Sequence, residues 1–356
     1  MDKERIEQEL KTVKYPGFSR DIVSFGLVRE VCFNEGVAEI NLALTTADTQ
    51  IPVQLKESIE QVIGALDGVD AVEVQIAVKS MQTAPSSPGA GSASKSKSLQ
   101  SVRFTIAVAS GKGGVGKSTF AVNLACALSH YFAEKGNNRA VGIMDCDVHG
   151  PSVPLMIGIN TQPEVEGDRL FPPENFGIPV ISMGLLVDER TPVIWRGPMI
   201  TKAIQQFTQS VEWGSLEVLV VDLPPGTGDA QISLAQTIEL DGAIILTTPQ
   251  NAAVNVARRG AMMFEKVNVP ILGVVENMSF FEIPETGQRQ YIFGSGGGER
   301  TAASLQTELL GQIPLDESVR VGSDKGIPIV ISHTDSATTR CFREIAKRII
   351  EKLEQT

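Results

Sequence analysis

Ser110-Gly111-Lys112-Gly113-Gly114-Val115-Gly116-Lys117-Ser118-Thr119 is the stretch on which the reading of this chain turns. An apolar, β-branched run, Arg103–Ala109, leads into it, and a helix-length apolar stretch, Phe120–Phe132, leads out. Strand, glycine-rich loop and helix in that order fit G-x-x-x-x-G-K-[ST] in the context that gives the motif meaning. Glycines let successive backbone N–H groups converge on phosphate oxygens where a Cβ would intrude. A helix N-terminus adds partial positive charge. Lys117 is expected at the β- and γ-phosphates, the Ser118 hydroxyl on Mg²⁺ and Thr119 at the α-phosphate, with Gly111, Gly113, Gly114, Val115 and Gly116 forming the cradle. Lys112 is a second lysine, which a single nucleotide in one subunit does not need.

Outward from the loop, short β-branched runs alternate with helical stretches: Ala140–Met144, Ile178–Ser182, Val218–Val221, Gly242–Thr247 and Ile271–Glu276. Several are apolar throughout, as strands covered on both faces are. This alternation predicts an α/β unit around a mostly parallel sheet, with ligands at the carboxyl ends of the strands. Asp145-Cys146-Asp147 ends one run, and its two carboxylates share a face if the strand continues. Val218–Val221 ends in Asp222-Leu223-Pro224-Pro225-Gly226, four apolar residues and then an acid, the pattern whose carboxylate holds a magnesium shell. Asn277, after Ile271–Glu276, can read an adenine edge with its amide. The segment around Pro314 is the expected opposite wall of that base pocket.

Residues 82–100 read as a flexible linker rich in Ser, Pro, Gly and Ala, unable to bury enough surface to become ordered. It separates a small α+β unit, 1–81, from the large unit, 101–356. In the small unit the pattern predicts a helix from Asp2 to Thr12, a hairpin of Leu27–Phe33 and Val37–Leu44, a helix opened by Pro52, and a strand over Val69–Val78. The 356 residues carry 31 Lys+Arg against 42 Asp+Glu, a net charge of −11. That balance argues against nucleic-acid binding and against docking on anionic lipid. With no apolar leader segment and no apolar run of membrane-spanning length, a cytoplasmic protein is expected. The four cysteines, Cys32, Cys126, Cys146 and Cys341, are widely separated, so no local CxxC is available for a metal.

The strings GKGGVGKST and MDCDVHGPSVPLM resemble the deviant phosphate-loop ATPases of the MinD and ParA type. VIWRGPM, VDLPPGTGDAQISLAQT, VVENMSFF and YIFGSGGGER narrow the resemblance to the Mrp/ApbC branch, and RDIVSFGLV and GVDAVEVQI resemble the iron–sulfur-assembly domain that often precedes it. The resemblance implies a Mg²⁺-dependent ATPase acting as a homodimer, with Lys112 reaching the partner's nucleotide, Asp147 orienting the attacking water, and Asp145 and Asp222 supporting the metal. It also implies a [4Fe–4S] cluster as cargo, passed to apo iron–sulfur proteins or assembly factors. The family's two thiolate positions are occupied here by Ile283 and Thr286, and the corresponding position of the small domain by Thr49. The cluster ligands are therefore unassigned. The alternative is a nucleotide-switched positioning ATPase of the MinD or ParA type without a cluster.

Overall fold

The computed structural model describes residues 3–13, 22–23, 27–34, 36–45, 50–66, 68–79, 99–148, 150–186, 197–226, 229–250 and 260–355. Thr49, His149 and residues 82–98 of the expected linker lie outside the described residues. The chain divides into two compact units, Met1–Ser92 and Ala93–Thr356.

The first unit runs α1 (Lys3–Leu10), β1 (Val28–Asn34), β2 (Val37–Thr45), α2 (Gln50–Gly64) and β3 (Ala71–Lys79). β1 and β2 form the expected antiparallel hairpin, and β3 lies parallel to β2. Leu55, Ile59 and Ile63 recur at helical spacing on α2 and pack with Ile6, Leu10, Ile40 and Leu42 into one core. α2 begins before Pro52. The proline falls within the first turn, where its missing N–H has no intrahelical partner to lose.

In the second unit the order is β4 (Val102–Ala109), α3 (Lys117–Ala133), β5 (Val141–Asp145), α4 (Val153–Ile157), β6 (Glu164–Glu166), β7 (Arg169–Phe171), β8 (Glu174–Asn175), β9 (Ile178–Ser182), α5 (Gly197–Ser210), β10 (Leu216–Asp222), α6 (Asp229–Thr237) and β11 (Gly242–Thr247). Then follow β12 (Ile271–Glu276), β13 (Phe281–Glu282), β14 (Arg289–Gln290), α7 (Gly297–Ser304), β15 (Leu309–Gln312), α8 (Glu317–Lys325), α9 (Ile329–Ser332) and α10 (Ala337–Leu353). Among the described residues, eight strands form the main sheet in the order β15-β12-β11-β4-β10-β5-β9-β8. All its neighbouring pairs are parallel except β8 with β9.

Both faces of the sheet are covered, which explains the uninterrupted apolar runs. Ile106, Val108, Val218 and Val220 pack with Phe120, Leu124 and Leu128 of α3 and Phe342, Ile345 and Ile349 of α10. The intervening Ala107, Leu219 and Val221 face Ile204, Phe207 and Trp213 on the other side. α4 and α8 each end in a left-handed glycine, Gly158 and Gly326, and these two turns touch. A Cβ on Gly326 would lie 2.5 Å from the Gly158 Cα, so neither position has space for a side chain. None of the described helices is long and apolar enough to cross a membrane.

Candidate functional site at the carboxyl ends of the strands

From β4 the chain steps to β5 and β9 toward one edge of the sheet, and from β10 it crosses β4 to β11, β12 and β15 toward the other; the phosphate-type loop leaves β4 at this change of direction. Gly114 and Gly116 hold φ +79° and +81°, which only glycine adopts without strain. Gly116 caps α3 without any side-chain hydrogen bond, so the first N–H groups of the helix stay free to meet an anion. Lys112 is exposed on the loop rather than folded into the pocket.

Register places the acids. Asp222 of β10 lies opposite Asp145 of β5, and Asp145 opposite Ser182 of β9. Lys117, only 6% exposed, donates to Asp222 Oδ1 at 2.5 Å and lies 3.7 Å from Asp147 Oδ2. The other Asp222 oxygen, Oδ2, is buried with no hydrogen-bond partner. Burial and the neighbouring Asp222 charge push the Asp145 carboxyl up to about 7. Burial also raises Asp222, against the pull of Lys117.

Asp145 and Asp147 do not share the expected strand face. β5 ends at Asp145, so strand alternation does not aim Asp145 and Asp147 together. Instead Asp145 accepts from the Asp147 backbone N–H at 3.0 Å and from the Ser182 hydroxyl at 2.9 Å. Both of its oxygens are spent on bracing the turn that presents Asp147. Cys146 between them is buried.

Next to the loop is a cavity of about 290 Å³ lined by Gly116, Thr119, Asn277, Pro314, Arg320 and Phe342, among others. It joins the expected base-side residues to the phosphate loop. The Asn277 amide donates to the Val115 carbonyl at 2.8 Å, which ties this wall to the loop. Gln231 donates to the Pro224 carbonyl and Gly226 N–H to the Ser110 carbonyl at 3.0 Å, docking the Pro-Pro-Gly turn against the loop. Sequence reading missed Ser182 and Glu276. Glu276 accepts from Ser279, Gln312 and the Gly298 N–H, and its signal was the same as that of Asp145 and Asp222: an acid closing an apolar strand.

Ile283 and Thr286 sit in the turn between β13 and β14, where Gly287 N–H bonds to the Ile283 carbonyl at 2.8 Å. Neither side chain offers a thiolate. Cys126 is buried, which pushes its thiol up to about 12, and Cys341 is partly buried on α10. Among the described residues no three His, Cys, Asp or Glu side chains gather as a metal cage.

Comparison with known proteins adds the lineage. Residues 101–350 match the ParA family model described as "NUBPL iron-transfer P-loop NTPase", and residues 3–76 match "Iron-sulfur cluster assembly protein". An "Iron-sulfur cluster carrier protein" of Synechocystis is 42% identical over 97% of this chain and 96% of its own length. An Arabidopsis thaliana "Iron-sulfur protein required for NADH dehydrogenase, mitochondrial" is 48% identical over 76% of this chain and 85% of its own. Among solved structures, a nucleotide-binding protein of Archaeoglobus fulgidus in complex with ADP aligns with TM-score 0.58 and 35% identity, over 69% of this chain and 94% of that one. A strand–loop–helix phosphate cradle, acids at the neighbouring strand ends and a family match over most of the length lead to one conclusion: the chain belongs to the ParA-type P-loop NTPases described as iron-transfer NTPases.

Proposed function

We propose that this protein is a Mg²⁺-dependent ATPase that works as a homodimer in iron–sulfur cluster delivery to apoproteins. The observation that carries the reading is Lys117 set between Asp222 and Asp147 at the mouth of the glycine-rich loop. The buried, unpartnered Oδ2 of Asp222 and the Ser118 hydroxyl are the groups that would hold a divalent ion here. When bound, Mg²⁺ neutralises charge on the phosphates.

In this mechanism Lys117 leaves Asp222 for the β- and γ-phosphates as nucleotide enters. The N–H groups around Gly113–Thr119 hold the phosphate oxygens, and Thr119 faces the α-phosphate. Asp147, held by Asp145, accepts a hydrogen bond from the attacking water and aligns it with the γ-phosphorus. The exposed Lys112 of a second copy supplies the transition-state charge that a finger residue supplies in trans. Asn277 and Pro314 close on the base. Lys117→Ala is expected to abolish ATP hydrolysis; turnover surviving in that variant would refute the assignment of the site.

The cluster is cargo in this reading, and the turn carrying Ile283 and Thr286 does not fit it as a ligand set, since iron in such clusters is held by thiolates. That observation favours a second reading, a nucleotide switch that positions partners without holding a cluster itself. Anaerobic reconstitution separates the two. Visible charge-transfer absorption with stoichiometric iron supports carriage; its absence supports the switch.

A further inference from the structure

Glu276 is fully buried at the end of β12, one residue before Asn277. Burying a carboxylate is costly unless donors surround it. Here three donors arrive from three segments. The Ser279 hydroxyl reaches Oε1 at 2.5 Å, and the Gln312 amide, its register neighbour on β15, reaches the same oxygen at 3.1 Å. The Gly298 N–H, in the first turn of α7, donates to Oε2. The dipole of α7 places partial positive charge against that oxygen.

The chain is shaped to allow this. A Cβ on Gly298 would lie 2.7 Å from the Glu276 Cβ, and one on Gly297 would lie 2.5 Å from the Pro249 carbonyl. These glycines let the start of α7 press against the ends of β11 and β12. Ser279 precedes the β13–β14 hairpin and Gly298 follows it, so one carboxylate grips both ends of the segment that carries Ile283 and Thr286. Through the Glu276 backbone, which accepts from Ile313 N–H at 2.9 Å, it also sets the strand leading to Pro314.

We infer that Glu276 is a positioning residue that joins the base wall of the nucleotide pocket, Asn277 and Pro314, to the β13–β14 hairpin as one unit. Nucleotide bound against that wall therefore changes the protection of the hairpin, although no residue of Phe281–Gln290 lines the cavity. The inference rests on the pocket taking a nucleotide base.

Its test uses the full-length chain, a fluorescent ATP analogue with Mg²⁺, and amide hydrogen exchange over residues 279–298. Glu276→Ala strands three donors and is expected to weaken nucleotide binding by about tenfold or more, raising KM with kcat little changed. It should also erase the nucleotide-dependent difference in hairpin exchange. Glu276→Gln keeps the shape, and the Ser279 hydroxyl and Gln312 amide can reverse their roles, so it should stay within about threefold of wild type. A folded Glu276→Ala chain with wild-type affinity and wild-type hairpin exchange overturns the inference. If that variant does not fold, Ser279→Ala combined with Gln312→Leu decides: it spares the Gly298 bond, and unchanged affinity and exchange overturn the proposal. Wild-type protein that fails to bind the analogue refutes the nucleotide reading itself, independently of Glu276.

Discussion

Gly116 is the position where a single methyl group tests the construction of the site. Alanine there must hold φ near +81°, and its Cβ would lie 2.4 Å from the Asn277 amide nitrogen. The left-handed conformation costs an L-residue about 1–2 kcal/mol. The amide must also leave the Val115 carbonyl, forfeiting a hydrogen bond worth about 0.5–1.5 kcal/mol. Gly116→Ala is therefore expected to destabilise the nucleotide-free protein by about 2–3 kcal/mol. Two neighbours separate the terms. Gly114 has φ +79° with open space around its Cβ position, so Gly114→Ala should show the strain alone, about 1–2 kcal/mol. Gly113 has neither feature, and Gly113→Ala should be neutral or slightly stabilising. Urea unfolding followed by tryptophan fluorescence measures the series, because Trp195 and Trp213 both belong to the large unit. Adding Asn277→Ala removes the clash, so the double variant should cost about 1 kcal/mol less than the sum of the singles. An additive cycle, or Gly116→Ala no worse than Gly114→Ala, would refute the claim that Asn277 is seated against the loop.

Thiol titration should find Cys32 and Cys341 reactive in the native protein and Cys126 and Cys146 only after unfolding; fast native modification of Cys146 would contradict its burial beside the acids. Glu308 accepts from Arg348 and from Lys352, and those partners hold its carboxyl below its usual 4.5. A depressed carboxylate stabilises fully above its unfolded value, and the effect fades as pH falls through the folded one. Glu308→Gln should therefore lower stability at pH 7 by under about 1 kcal/mol, less in high salt. The difference from wild type should vanish in acid; one that grew on acidification would reverse the sign and refute the pairing.

The central strands were legible because each is covered on both faces and so reads as one apolar run; Ile178–Ser182, Gly242–Thr247 and Ile271–Glu276 fall where the sequence places them. β15 was not legible: four residues containing Gly311 and followed by Pro314 carry no periodicity. β8 and the β13–β14 hairpin are too short to show a pattern. The phosphate loop could be read because its glycines answer a local backbone demand. The bond between Asp145 and Ser182 could not, since it depends on register between strands far apart in sequence. Glu276 was hidden for the same reason, with donors from residues 279, 298 and 312.

The glycine turns that end α4 and α8 carry a mechanical consequence. α4 follows the Asp147 turn, and α8 presents Arg320, Ser323 and Asp324 to the base-side cavity. Where Gly158 and Gly326 meet, backbone presses on backbone, with no side chain between them to change rotamer and absorb a displacement. The joint behaves as a hard stop. A displacement of α4 at its Asp147 end therefore passes to α8 undiminished, and with it to the cavity wall that Arg320, Ser323 and Asp324 form.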